Sequence, residues 1–356
     1  MRLCVSRKSL FLAFLGVVFI KLILAIYTME KGVWSFGEGN DADYYHNYAL
    51  GNVEKLANYW NRLLRLMNDY GLYSRDGVKV LLMMLGFVVI PVMVAELSVG
   101  DRMSDPKTYC FIALLVSGYP TLCYYALDIY RDVFLCFLFL MSVFMVKRFF
   151  LSSDARARLM LMILIACMSY VMFLFRPYLG AAFAMAWLCS FAIYHARLPA
   201  GWCVIGYLIA LNGIYALGGL DSILLYRSMF ESTLKGGSNL GLVFGSVPSF
   251  TPLFLKSFSI QMLGFYFSNS LSWIFFLVES VPFMAGIMYL ILNRRFADRL
   301  VGFLIIFSVV YGTVWLLGND NMGTAIRLRL CNYLALIICV ATVYLNKKAH
   351  ALRGGI

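Results

Sequence analysis

The stretch from Arg131 to Arg148, RDVFLCFLFLMSVFMVKR, decides the architecture. Between the Arg131–Asp132 pair and the Lys147–Arg148 pair, every residue except Ser142 is apolar. A helix that is apolar all round offers no face to water. With its charges only at the two ends, this one reads as a membrane span. Working outward, comparable runs fall at about 9–28, 78–98, 108–126, 132–147, 158–175, 178–195, 201–219, 270–292, 299–317 and 330–346. A hydrocarbon core of about 30 Å takes about 20 apolar residues per helix, so 356 residues hold ten such spans. Helices are the expected form, because every backbone amide in lipid must be satisfied within its own segment. The chain is 62% hydrophobic and 13% charged, against roughly 45–50% and about 25% in soluble domains. That balance, with a mean hydropathy of +0.81, excludes a cytosolic enzyme, a secreted soluble domain and a disordered chain. The expectation is an all-α polytopic integral membrane protein, read as one domain over 1–356.

The net charge of +12 does not point to nucleic acid, because the basic residues sit at the ends of the apolar runs. No nucleic-acid partner is expected. The nine cysteines lie in apolar runs or at Cys4, with no disulfide framework and no zinc spacing. The basic start (Arg2, Arg7, Lys8) and the run Leu10–Tyr27, without a small-residue cleavage site, read as a retained signal anchor. With both termini placed in the cytoplasm, that side collects Arg102, Lys107, Lys147, Arg148, Arg156, Arg158, Arg197, Arg294, Arg295, Arg299, Lys347, Lys348 and Arg353. Only Glu96, Asp101, Asp105, Asp154 and Asp298 oppose them there. The opposite side is close to balanced, so one orientation satisfies the positive-inside rule.

Two long outer loops then follow, at about 29–77 and 220–269. In the first, Val53, Leu56, Ala57, Trp60, Leu63, Leu64 and Met67 recur at helical spacing, with Lys55, Asn58, Arg62, Arg65 and Asp69 on other faces. This is an amphipathic helix suited to the headgroup layer. The second loop holds Ile223–Phe230, a break at Gly236–Gly237–Ser238–Asn239, and the apolar stretch Phe250–Phe267 with Pro252, Lys256 and Gln261. A re-entrant or interfacial helix pair is expected there.

Ionisable groups in or beside a membrane are costly and mark function. The first loop opens with GEGNDADYYHNYAL (37–50), which holds Asp41, Asp43 and His46. Two carboxylates at i, i+2 beside a histidine can supply a general base or share a divalent metal. Equally, they can cap the amphipathic helix. The second group is arginine: Arg131 in YYALDIYRD, Arg176 in FRPYL, and Arg327 and Arg329 in GNDNMGTAIRLRL, with Arg62, Arg65 and Arg75 able to join from the first loop. The guanidinium fork matches phosphate oxygens, whereas a snorkelling interfacial arginine binds nothing in particular. Lys21 and Glu279 lie inside spans and could pair with each other or face the site. His195 and His350 fall on the cytoplasmic side and carry no functional reading.

Three segments carry a family resemblance: DADYYHNYA after the first span, YPTLCYYALDIYRD with its charged turn, and NMGTAIRLRL before the last span. The layout resembles the Wzy-type O-antigen and capsule repeat-unit polymerases and the related GT-C polytopic glycosyltransferases. The local matches cover about 40 residues, the architecture most of the length. The resemblance implies a bacterial inner-membrane enzyme. It would move a growing glycan from undecaprenyl pyrophosphate onto another lipid-linked repeat unit on the periplasmic face. By motif position it implies Asp41, Asp43 or His46 for proton transfer. Arg131, Arg176, Arg327, Arg329, Arg62, Arg65 and Glu279 would bind pyrophosphate or glycan. It implies no resident cofactor, although the Asp41/Asp43 pair leaves a divalent ion open. Membrane lipids and a chain-length-regulating membrane protein are the expected partners. GT-C enzymes carry a larger outer domain after the last span, and the run ending near 346 is followed by little chain, which favours the polymerase. The alternatives are a GT-C enzyme moving a single sugar from a polyprenyl-phosphate donor and, in another class, a transporter of polysaccharide or lipid-linked substrate.

Overall fold

The computed structural model describes residues 6–31, 41–100, 105–193, 200–233 and 238–353. Cys4, Arg2, residues 37–40 of the acidic motif, Arg102, His195, Arg197 and the Gly236–Gly237 break lie outside the described residues. Among the described residues the secondary structure is helical, with no strand beyond one isolated antiparallel bridge between Asn239 and Asn321. Seven helices are long and apolar enough to cross a membrane, or up to nine if two sharply bent pairs each count as one span.

The chain divides into two compact units, residues 1–181 with 337–356, and residues 182–336. In the first, α1 (Arg7–Lys31) and the short α2 (Asp41–Ala49) precede α3 (Tyr59–Asp69). The span α4 (Arg75–Val99) follows. Next come α5 (Pro106–Ser117) and α6 (Pro120–Ala126), bent by 61°. The hairpin of α7 (Arg131–Leu151) and α8 (Ala155–Phe175) leads to α9 (Pro177–Ile193). The bend before α6 has a local cause. Pro120 cannot donate to the preceding turn, and the residue before a proline is pushed to extended geometry; Tyr119 has φ −70° and ψ 111°. Close approach between α8 and α9 depends on Gly180, where a Cβ would collide with the backbone of Ser169 and Phe173. Small residues serve this role where helices pack in lipid.

The second unit contains α10 (Ala200–Ala216) and α11 (Asp221–Thr233), followed by α12 (Val247–Ser257). Within this group Val204–Ala216 and Asp221–Ser228 are bent by 76°. The spans α13 (Ser272–Phe296) and α14 (Arg299–Gly318) come next, then α15 (Met322–Leu328). The final helix α16 (Leu330–Arg353) begins in this unit. Exposed apolar side chains run along the spans, for example Phe11, Phe19 and Leu24 on α1 and Trp273, Leu277 and Leu292 on α13. On a water-soluble protein such stripes would be a liability; in lipid they cost nothing.

Three helical runs widen into a π turn, at Leu85–Val89, Phe258–Met262 and Phe276–Ser280. Such turns concentrate at functional or strained positions. Two of them carry the buried polar residues Gln261 and Glu279. Glu279 and Lys21, both within apolar runs, do not pair with each other. Glu279 binds Arg329, and the Lys21 ammonium donates to the Ser117 carbonyl and lies over the Phe87 ring. The amphipathic helix starts later than its apolar pattern suggests. Asn58 caps it by accepting from the Trp60 amide at 3.0 Å, and 53–58 are not helical. The acidic motif forms a separate helix, α2, instead of capping α3.

Candidate functional site

In the first unit the site is built where α2, α4 and the turn before α7 meet. Ser74 caps α4, accepting from the Gly77 amide at 3.3 Å, and this places Arg75 in the first helical turn. A cation there sits against the positive end of the helix dipole and needs carboxylates to hold it. Two supply the charge. Arg75 Nη1 lies 2.8 Å from Asp43 Oδ1 on α2. Arg75 Nε and Nη2 donate to the two oxygens of Asp128 at 3.2 and 2.8 Å. Asp128 is itself fixed, since its Oδ1 accepts the Ile129 amide at 2.8 Å. The next peptide is strapped as well, with the Trp60 indole donating to the Ile129 carbonyl at 2.8 Å. Asp43 is 57% exposed and so remains reachable while Arg75 holds one of its oxygens.

Aromatic rings wall this cluster. Tyr124, Tyr125 and Tyr130 form a triad with centroids 5.0, 5.3 and 6.4 Å apart. Burial first, then the neighbouring Tyr124, Asp128, Tyr125 and Asp41, push the Tyr130 phenol well above its ordinary range. His46 Nδ1 is 2.9 Å from the Tyr73 hydroxyl. Burial pushes the Tyr73 phenol up to about 12, against the opposing pull of Arg75. Both phenols therefore stay protonated at neutral pH and serve as hydrogen-bond groups.

The arginines beside this turn have other duties. Arg131 Nη1 donates to the Phe175 carbonyl at 3.1 Å and so closes the C-terminus of α8. Arg176 forms a buried ion pair with Asp132 at 2.6 Å and lies over the Tyr178 ring. Arg65 lies over Tyr48, and Arg62 is exposed on α3. The structure thus joins Asp43 to Asp128 through Arg75 and sets Asp41 beside Tyr130. It pairs His46 with Tyr73.

In the second unit Arg329 Nη2 binds Glu279 Oε2 at 3.1 Å, and its guanidinium lies over Tyr333. Arg327 is half-buried in the last turn of α15. A second pair, Arg227–Asp320, is equally deep. Asp320 also accepts the amides of Gly241 and Leu242 at 2.8 and 3.2 Å. Arg227 donates further to the carbonyls of Leu242, Leu316 and Leu317. Gln261 and Asn319 exchange amide contacts, with Asn319 Nδ2 donating to Gln261 Oε1 at 2.6 Å. These bonds lace 238–242 to 319–323.

Sequence reading did not assign Asp128, Tyr73, Tyr130, Arg227 or Asp320, and it set Arg75 towards a phosphate instead of two carboxylates. The signal for Asp128 was present as an acid set between tyrosines in YYALDIYRD. Arg227 gave none, because its partner lies 93 residues away. Among the described residues no three His, Cys, Asp or Glu side chains gather as a metal site. Comparison of the chain with protein-family models, with curated proteins and with solved structures finds no match.

Proposed function

We propose that this protein is a bacterial inner-membrane glycosyltransferase that polymerises undecaprenyl-pyrophosphate-linked oligosaccharide repeat units on the periplasmic face. On a ten-span reading with both termini in the cytoplasm, α2, α3 and the Asp128 turn fall on that face. One observation carries the reading: Asp43 and Asp128, from two of the three segments that resemble polymerases, meet on Arg75 beside a tyrosine triad. Carboxylates accept sugar hydroxyls, and tyrosine faces suit the apolar side of a pyranose.

In this reading Asp43 takes the proton of the acceptor hydroxyl. The hydroxyl oxygen forms the new glycosidic bond as the bond from the donor's anomeric carbon to the lipid pyrophosphate breaks. The pyrophosphate leaves with one more negative charge, which cations must stabilise. Arg131, half-buried at the same turn, is the group for that task. Arg176 and Arg329 are committed to buried carboxylates and support the frame around them. The test is incubation of the purified protein with a synthetic lipid-diphosphate oligosaccharide. A ladder of products supports polymerisation, addition of one sugar from a polyprenyl-phosphate donor supports the single-sugar transferase, and neither product overturns both.

A transporter is the second reading, favoured by one sharply bent helix pair in each unit, since broken helices line transport sites. Proteoliposomes that move a lipid-linked glycan between leaflets without extending it would establish that reading instead.

A further inference from the structure

Two carboxylates facing one another across a short gap are the usual frame of a divalent-cation site, with metal–oxygen distances of about 2.0–2.6 Å. Here the gap is filled by protein. Arg75 Nη1 and Nη2 stand 2.8 Å from oxygens of Asp43 and Asp128, and Nε holds the other Asp128 oxygen at 3.2 Å. An ion bonded to these oxygens and the guanidinium would claim the same space. Charge points the same way. The two carboxylates carry two negative charges; Arg75 and the positive end of α4, worth roughly half a charge, nearly balance them. Asp76, the next acid along, is matched by Lys79 at 3.4 Å. Only a planar fork serves both partners from one residue, because a lysine ammonium cannot grip one carboxylate bidentately while reaching a second.

We infer that Arg75 is the resident cation of this site, its guanidinium bridging Asp43 and Asp128 in the place a dissociable divalent ion would otherwise take. It is a positioning residue: it fixes Asp43 Oδ1 and leaves the rest of that exposed carboxylate to the acceptor. The positioning role rests on the polymerase reading; the cation assignment does not.

The experiment is a Mn²⁺ titration followed by electron paramagnetic resonance on the purified full-length protein, with chain extension measured in parallel. Wild type shows no bound Mn²⁺ that Asp43→Asn or Asp128→Asn removes, and its extension persists in EDTA. Arg75→Ala gains one Mn²⁺ per chain, at a dissociation constant of roughly 10⁻⁴ M typical of weak carboxylate sites, and either Asn substitution abolishes it. Arg75→Ala loses at least 100-fold in extension, and Arg75→Lys recovers part of that loss. A wild-type Mn²⁺ site sensitive to Asp43→Asn or Asp128→Asn overturns the inference, as does a folded Arg75→Ala protein that binds no Mn²⁺. Should Arg75→Ala not fold, the wild-type titration decides alone. If the Mn²⁺ pattern holds and no variant makes a ladder, the polymerase reading fails while the resident cation stands.

Discussion

Arg75 in the first unit and Arg329 in the second are both arginines paired with carboxylates, yet they differ in depth. Arg75 is 24% exposed and shares itself between Asp128, 18% exposed, and Asp43, 57% exposed. Arg329 and Glu279 are 2% and 0% exposed, and Arg227 with Asp320 are 3% and 1%. A pair sealed from solvent cannot meet a substrate without unfolding its surroundings. Its partners hold each other, and removing one strands a buried charge. A pair at the surface gains little stability from its charges, so its geometry is free to serve chemistry. The comparison separates arginines sealed with their partners from one that stays open to solvent.

The largest effect should come from splitting a sealed pair. Arg329→Met leaves Glu279 buried without its counter-ion and should cost ~3–5 kcal/mol, seen as loss of folded protein on detergent size-exclusion and a lowered thermal midpoint. Adding Glu279→Leu should recover most of that loss. If the single variant is as stable as wild type, the contrast between the units collapses. Next in size is Asp43→Asn, which should lower chain extension about 10²–10⁴-fold, the range for removing a proton-transfer group, while the thermal midpoint moves little. Asp41→Asn is the matched control, and an equal loss there would move the base to α2 as a whole.

A smaller effect is expected at Asn61. It is fully buried on α3, and neither amide atom has a hydrogen-bond partner among the described residues. An unsatisfied buried amide costs ~1–3 kcal/mol, so Asn61→Leu should raise the thermal midpoint. A lower midpoint would show that water or another group satisfies the amide. The smallest effect concerns Tyr73. Its folded value of about 12 lies above its ordinary value of 10.0, so folding favours the protonated phenol. That contribution is fully present below pH 10 and fades as pH rises through about 12. Thermal midpoints followed from pH 9 to 12 should fall less steeply in Tyr73→Phe than in wild type.

The membrane class was legible because it depends on summed hydrophobicity, which any window of the chain reports. Among the described residues the apolar runs fall on helix, except that those at 108–126 and 201–219 break at Gly118–Tyr119 and after Ala216. Local chemistry was legible in part. Pro120 and Gly180, which the sequence reading did not single out, mark a bend and a close packing site in the structure. Val53 and Leu56 matched a helical spacing, but Asn58 offered a better cap and the helix starts after it. Pairings over long separations were not legible. Lys21 and Glu279 lie within apolar runs, and their spacing left open whether they pair with each other or face the site. Each instead found a partner within its own unit, 96 and 50 residues away.

By itself the sequence determined that this chain lives in lipid, where its helices run, and which charged residues stand at their ends. Those properties follow from hydrophobic transfer and backbone hydrogen bonding, which act within about twenty residues. Only the tertiary structure decided that Arg75 faces Asp43 and Asp128, that His46 turns to Tyr73, and that Arg176, Arg227 and Arg329 are sealed against carboxylates. An ion pair depends on distance and desolvation in space, and neither quantity is a function of spacing along the chain.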